Sequence, residues 1–106
     1  MAEARPGVEA LLAVARAEFA QRLPAKMAEV EKLLSDKSWD EARRASHKLR
    51  GSAATYGFPS LSAAAAAIED ALLAAGGSPG ADVVGRLTDI ARGASAEAER
   101  AARESP

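Results

Sequence analysis

The 106-residue sequence contains no cysteine and only one histidine. Without thiols the chain can form neither a disulfide framework nor a thiolate metal site, and one histidine cannot supply a histidine-rich zinc site. Aromatic residues make up 4% of the chain, whereas hydrophobic residues, many of them alanine, make up 48%. This balance favours closely packed helices over a β-sandwich rich in Val, Thr and Tyr. We therefore expect an all-α protein with no metal site of its own.

An excess of one charge and a long apolar run are also absent. Fourteen basic and fifteen acidic residues give a formal net charge of -1, far from the basic balance of a protein that binds nucleic acid through its phosphates. No run approaches the ~18 apolar residues that span a bilayer, and the first residues lack the apolar centre of a secretion signal. We expect a cytoplasmic protein that binds neither nucleic acid nor a membrane.

The usual motifs of a catalytic site are missing too. The glycine-rich stretch 76–80 is not followed by Gly-Lys-Ser/Thr and does not follow a strand, so it is not a phosphate-binding P-loop. The carboxylate pairs Asp36/Asp40 and Glu69/Asp70 are expected on solvated helix surfaces, with no burial to tune them for acid–base chemistry. The residues therefore do not predict a self-sufficient enzyme.

Apolar residues recur every three or four positions, as on one side of a helix. The first stripe contains Val8, Leu12, Ala15, Phe19, Leu23, Met27, Val30 and Leu34. Pro24 interrupts it, which predicts either one long kinked helix or two helices meeting near Leu23. Ser38, with Glu41 three residues later, matches a capping box that opens a second helix, and this helix should end near Tyr56.

Two further stripes predict two more helices. One runs from Pro59 to Ala75, with Glu69 and Asp70 turned outward. The other begins near Val83, and its last part, residues 96–103, is expected to be helical yet loosely docked.

Four amphipathic segments joined by short connectors predict an antiparallel up-and-down four-helix bundle, with an additional or kinked N-terminal helix. We expect one domain over residues 1–106, in which residues 1–7 and 104–106 fray.

The single histidine, His47, lies in the most basic segment of the chain. At 100° per residue it falls opposite Leu49 and Ala53, so its imidazole should point away from the core. Gly51 lies one turn further on, where glycine costs roughly 0.5–1 kcal/mol relative to alanine. Its simplest use is clearance beside the imidazole, and Arg50 can place a cation near an anion bound there.

The stretch His47-Lys48-Leu49-Arg50-Gly51-Ser52, followed by Ala53-Ala54, Gly57 and Leu61, resembles the signature of histidine-containing phosphotransfer (HPt) domains. That signature reads His, any residue, Leu, Lys, Gly, then Ser or Ala, inside a helix. Arg50 replaces the commoner lysine but keeps the positive charge. The early Phe19, and Trp39 shortly before the histidine, also fit the family, and the resemblance covers most of the chain.

The resemblance implies that His47 accepts a phosphoryl group from a receiver-domain aspartate of a hybrid histidine kinase and passes it to a response regulator of a bacterial phosphorelay. Nε2 is the expected acceptor because it is the ring nitrogen farther from the backbone, and a neutral imidazole has a lone pair there. Arg50 and Gly51 would support the phosphoryl group. The chain would be a phosphorylated intermediate, not an enzyme, and would need no cofactor, because the receiver supplies Mg²⁺. A monomer would suffice.

The same face should dock the partner. Arg43 and Arg44, one turn before His47, suit an acidic receiver rim, as does Lys48 to a lesser degree, and Ala54 with Phe58 could form an apolar rim. A different interpretation remains open at this point: a helical adaptor that binds a partner without any phosphoryl transfer, through a basic cluster formed by Arg43, Arg44, Lys48 and Arg50.

Overall fold

The computed structural model describes the backbone of residues 5–105 and the side chains of residues 7–105. This part of the chain forms four helices and no strand: α1 (Arg5–Ser35), α2 (Trp39–Thr55), α3 (Pro59–Ala75) and α4 (Ala81–Glu104). Helix α1 packs on α2 and α4, and α3 packs on the same two helices from the other side. The predicted up-and-down four-helix bundle is confirmed. Of the ends expected to fray, 1–4 and Pro106 lie outside the described residues, whereas 5–7 and Glu104 belong to helices.

Helix α1 is continuous across Pro24. The sequence left two arrangements open, and the one with two separate helices meeting near Leu23 is therefore wrong. The residues before Pro24 lengthen the first helix and do not form a fifth one. A proline in a helix costs one backbone hydrogen bond, and the in-phase packing of Leu23 and Met27, both fully buried, holds the two halves on one core face.

The core lies between all four helices and consists mainly of leucine and alanine side chains. Its α1 part begins at Phe19, whereas Val8 and Leu12, in the first half of the apolar stripe, are exposed. The reason is that no other helix extends far enough to cover them. Arg16 already lies level with the end of α2, because it contacts the carbonyls of Tyr56 and Gly57.

The predicted capping box at the start of α2 is not formed, so that prediction is wrong. Ser38 is the N-cap residue of α2, but its side chain makes no capping hydrogen bond. Its ψ of 69° lies outside the extended region from which a serine hydroxyl usually reaches the helix amides. The backbone of Ser38 is used differently: its N–H donates to the Leu33 carbonyl at 2.9 Å, and its own carbonyl accepts from Ala42 at 2.8 Å.

The predicted stop of α2 is confirmed. Gly57 has a φ of +83°, a left-handed conformation that glycine adopts at low cost. The Phe58 N–H then donates back to the Ala53 carbonyl at 2.8 Å, as in the Schellman motif that closes a helix. This sharp stop, followed by Pro59 at the start of α3, turns the chain so that α3 packs antiparallel to α2.

The end of α4 is docked, and the expectation of a loose end is wrong. Ala98 is fully buried, and Gln21 on α1 donates to the Ala102 carbonyl at 2.7 Å. One turn of helix before Ala98, the Ser95 hydroxyl donates to Glu31 of α1. Alanine makes this possible, because small side chains let α1 and α4 approach closely.

Arg16 joins α1 to the end of α2. Its guanidinium donates to the carbonyls of Tyr56 (2.9 Å) and Gly57 (3.2 Å) and lies over the Phe58 ring, 4.5 Å from the centroid. These carbonyls follow the last turn of α2, where a cation is favourable.

Arg16→Ala is expected to lower the free energy of unfolding by about 1 kcal/mol, because exposed hydrogen bonds to a charged group are worth only part of a buried one. Arg22→Ala, an exposed arginine on the same helix, should change it by less than about 0.5 kcal/mol. Urea unfolding followed by circular dichroism measures both, and equal losses would contradict a capping role for Arg16.

None of the helices in residues 5–105 combines the length and the apolar character that a bilayer-crossing segment needs.

Candidate functional site

His47 lies in the middle of α2 and points into solvent, as the helical pattern predicts. Its side chain is 69% exposed, while Ala42, Leu49 and Ala53 are buried on the opposite side of the helix. The outward direction follows from that periodicity, since three apolar residues that pack on the core leave the remaining side of the helix to water.

The main partner of His47 is Glu69 on α3. The Glu69 Oε2 atom lies 2.8 Å from Nδ1 of His47, and the Glu69 side chain is only 7% exposed. The sequence-based expectation that Glu69 points outward is therefore wrong, and so is its grouping with solvated carboxylates. Asp70, the next residue, is exposed as expected.

The sequence contains a signal for the burial of Glu69. At 100° per residue, Glu69 lies about 70° from the centre of the α3 apolar stripe, whereas Asp70 lies about 170° away. Glu69 is thus at the margin of the core face, not opposite it. The alanines of α3 bring its backbone close to α2, and this closeness places the carboxylate under the histidine.

Arg50 also contacts Glu69. Its Nη1 atom lies 3.3 Å from Oε1 of Glu69 and 3.6 Å from Oδ1 of Asp70. Each carboxylate oxygen of Glu69 therefore has its own donor on α2: Oε2 contacts His47 and Oε1 contacts Arg50. Arg50 was predicted to support a phosphoryl group. It lies one turn from His47 and is held by two carboxylates of α3, so its role toward a phosphoryl group stays a prediction.

The environment of Glu69 fixes its protonation. Burial raises the pKa of Glu69, but the hydrogen bonds from His47 and Arg50, together with the charges of those side chains, outweigh burial and hold the pKa below its usual value. The carboxylate is therefore ionised at neutral pH. Because its folded-state pKa is lowered, its contribution to stability is present above the ordinary glutamate range and is lost as the pH falls through the lowered value.

An ionised Glu69 determines the tautomer of His47. A carboxylate can only accept a hydrogen bond, so Nδ1 of His47 must carry the proton and donate it. In the neutral ring the lone pair is then on Nε2, the nitrogen on the other side of the exposed imidazole. Nε2 is therefore the ring nitrogen that is free to interact with a group from outside the chain.

Gly51, predicted to provide clearance, faces open space. A Cβ atom built at this position would meet nothing within 4 Å, so nothing inside the chain requires a glycine there. The same is true of Gly93, which lies in α4. The open space leaves room next to His47 for a group from outside the chain, and the clearance role of Gly51 stays a prediction.

Gly51→Ala is expected to raise the free energy of unfolding by about 0.5–1 kcal/mol, because alanine is the better helix former and the methyl group causes no clash. Gly93→Ala should stabilise by a similar amount. If Gly51 provides clearance, only Gly51→Ala should slow phosphoryl exchange with a receiver, by roughly threefold to tenfold. Chemical denaturation and a phosphotransfer time course measure the two effects, and equal transfer rates in both variants would refute the clearance role.

The remaining predicted docking residues spread over more than one surface. Arg43 and Arg44 both bind Asp40, at 3.0 and 2.6 Å. Arg44 and Lys48 line a shallow groove of about 350 Å³ between α1 and α2. Their part in docking stays a prediction.

The two apolar docking candidates are also separated. Ala54 is exposed on the His47 side of α2. Phe58 is half-buried at the end of the bundle, 5.8 Å from the Phe19 ring between centroids. Most of the Phe58 surface is therefore used within the chain.

The surroundings of His47 are a convex helical surface. A cavity of about 780 Å³ does exist between α1, α2 and α4, but none of the predicted site residues lines it. Small-molecule sites are usually concave, so the geometry at His47 suits a macromolecular partner better. Among the described residues, no group of three or more His, Asp and Glu side chains is arranged to hold a metal ion.

Comparison with known proteins agrees with this geometry. The family model described as Hpt domain matches residues 14–102, a range that includes His47, Arg50, Gly51 and Glu69. Neither the curated proteins nor the solved structures contain a significant match to the chain. The match extends over most of the sequence and includes part or all of each of the four helices, and the chain therefore belongs to the Hpt domain family.

Proposed function

We propose that this chain is a phosphorelay intermediate that accepts a phosphoryl group on Nε2 of His47 from a receiver-domain aspartate and passes it to the aspartate of a second receiver. The family is one of phosphotransfer domains in two-component phosphorelays. The observation that carries the proposal is the exposed imidazole whose Nδ1 is held by the buried Glu69 carboxylate at 2.8 Å.

The step is a displacement at phosphorus. The lone pair of Nε2 attacks the phosphorus of the aspartyl phosphate, the N–P bond forms, and the bond from phosphorus to the aspartate oxygen breaks, which releases a carboxylate. The proton on Nδ1 stays in place, so the ring becomes positively charged. The Glu69 carboxylate stabilises that charge through the hydrogen bond that already exists. Transfer to the second receiver is the reverse step.

The chain leaves the rest of the chemistry to its partners. We propose that the receiver of a hybrid histidine kinase and that of a response regulator dock on the His47 face in turn and bring Mg²⁺ with their own aspartates, so the chain is not an enzyme by itself. Open space beside Gly51 supports access for the phosphoryl group. The proposal places the relay in the bacterial cytoplasm, the setting that the family resemblance implies.

A helical adaptor that uses the basic cluster is less well supported. Arg43 and Arg44 share Asp40, and Arg50 contacts Glu69 and Asp70. Three of the four cations of that cluster are therefore compensated within the chain. The same compensation argues against nucleic-acid binding, because few cations remain to replace counterions on phosphates.

The direct test is a phosphotransfer assay with isolated receivers. The chain is mixed with a receiver carrying a radiolabelled aspartyl phosphate and Mg²⁺, separated by electrophoresis, and treated with acid or base. We expect label on the chain that is acid-labile and base-stable, as for a phosphohistidine, and mass spectrometry should map it to His47. If no receiver from the source organism gives label, the adaptor is favoured instead.

A further inference from the structure

The first three turns of α1 are an apolar segment that nothing in the described structure covers. Four large hydrophobic side chains there are between 52% and 71% exposed: Val8, Leu11, Leu12 and Val14. Only one other large hydrophobic side chain, Leu73, is as exposed among residues 7–105. The exposed apolar surface of the bundle is thus concentrated in one place, as is usual for an interaction site.

This segment projects beyond the end of the bundle. Arg16 lines the same surface depression as Gly57, Pro59 and Glu104, so the ends of the other three helices lie at its level. Residues 5–15, which we name the projecting segment, therefore extend past them by about 16 Å at the rise of an α-helix. Most of this segment also precedes the range that matches the family, so it is not explained by the phosphotransfer fold.

The apolar side of the projecting segment continues the core stripe. Val8, Leu11, Leu12 and Ala15 occupy about 100° of the helix circumference, the width of a helix-packing face. A second copy of the same segment, running antiparallel, matches this face. When Leu11 lies opposite Leu12 of the second copy, Val8 lies opposite Ala15, and all four apolar positions meet apolar positions.

Charge favours the antiparallel direction. Glu9 and Arg16 are seven residues apart and lie within about 20° of each other on one flank of that face. In an antiparallel pair the same flanks of the two helices meet, so Glu9 lies beside Arg16 of the second copy, about 3 Å away along the axis. The Nε and Nη2 atoms of Arg16 are held by the carbonyls of Tyr56 and Gly57, so Glu9 meets a guanidinium that is already fixed in place. In a parallel pair these flanks are on opposite sides of the interface, and neither contact forms.

We propose that the projecting segment joins two copies of this chain in an antiparallel dimer, with one bundle at each end. The monomer expected from the sequence is then the form present at low concentration. A stable interface uses about 20–30 residues per partner, far more than the four to six available here. The dimer is accordingly weak and depends on concentration.

The association can be measured by sedimentation equilibrium of the 106-residue chain over a roughly hundredfold range of concentration. We expect the mean mass to rise toward twice that of the monomer. Leu11→Glu should weaken the dimer at least about tenfold, because it places a charge in the apolar face. Ala10→Glu adds the same charge on the opposite side of the helix and should leave association within about threefold of the wild type. Circular dichroism confirms that both variants stay helical.

Orientation is tested by cross-linking, which the absence of cysteine in the chain makes simple. In the antiparallel register the two copies of residue 11 lie next to each other, whereas the two copies of residue 8 are about 10 Å apart along the axis, too far for a disulfide. Leu11→Cys should therefore oxidise to a covalent dimer and Val8→Cys should not. Covalent dimers from both variants, as expected of a parallel pair in which each residue faces its own copy, or from Val8→Cys alone, would overturn the antiparallel arrangement.

A monomer mass at every concentration would overturn the dimer itself. In that case the wild type and Leu11→Glu are compared for sedimentation with anionic phospholipid vesicles, and binding by the wild type alone would assign the apolar face to a lipid surface. Salt provides a further check: Glu9→Lys should weaken the dimer more at low ionic strength than at high, because its effect is electrostatic.

Discussion

His47→Gln is expected to abolish phosphotransfer, with a fall of at least about a thousandfold in the amount of label that the chain accepts from a phosphorylated receiver. Glutamine has no basic nitrogen, so no lone pair can attack the aspartyl phosphate. Its amide can still donate a hydrogen bond to Glu69, which has a buried side chain and needs a partner. The fold should therefore be retained while the reaction is lost.

The matched control is Lys48→Gln, which makes the same replacement one residue further along α2. Lys48 is exposed and lies on the side of the helix that faces the α1–α2 groove, so its loss should lower the transfer rate by no more than about threefold, the size expected of a peripheral charge. Label that persists in His47→Gln would place the phosphoryl group on another residue and refute the proposed function. A fall of equal size in both variants would point to docking instead of chemistry.

The sequence predicted well that His47 faces solvent, for a simple reason. Helix periodicity depends on which residues are apolar, and α2 has buried Ala42, Leu49 and Ala53 on the side away from His47. The end of α2 was equally predictable, since Gly57 followed by Pro59 is a strong local stop signal. Both features depend on residues close together in the chain, where spacing alone determines which side of the helix a residue occupies.

Interactions between helices were not predictable in the same way. Whether Glu69 faces solvent or α2 depends on the distance and rotation between α2 and α3, which the pattern of either helix does not contain. Exposure of Val8 and Leu12 likewise depends on where the other three helices end, not on their own spacing. The sequence predicted which side of each helix is apolar. The packing of the four helices determines which parts of those apolar sides are buried inside the chain.

The position of Glu69 changes how the charges of the site are understood. The sequence suggested that the cations of α2 bind an anionic partner outside the chain, but Arg50 forms ion pairs with Glu69 and Asp70 of α3. After the hydrogen bond from His47, the contact with Arg50 also lowers the pKa of Glu69, and the ionised Glu69 accepts the proton on Nδ1 of His47. Arg50 can therefore influence phosphotransfer without touching the phosphoryl group, as a residue that maintains the state of its neighbour.

Glu69→Ala is expected to slow phosphotransfer by roughly 10–100-fold, the usual cost of removing the group that orients a reactive imidazole. Without the carboxylate, either ring nitrogen of His47 can carry the proton, and the positive charge that forms on phosphorylation loses its partner. The transfer rate of Glu69→Gln should lie between those of the wild type and Glu69→Ala, because an amide oxygen can still accept the hydrogen bond from Nδ1 but carries no charge. Asp70→Asn removes a carboxylate from the adjacent, exposed position and should change the rate by no more than about twofold.

A nitrogen NMR measurement separates this role from a structural one. In the wild type the ¹⁵N shifts of the neutral His47 ring should show a protonated Nδ1 and an unprotonated Nε2, and Glu69→Ala should mix the two tautomers while circular dichroism shows the same helix content. Asp70→Asn should leave the tautomer unchanged. If Glu69→Ala transfers phosphoryl groups within about twofold of the wild-type rate and keeps the single tautomer, the carboxylate does not position the ring.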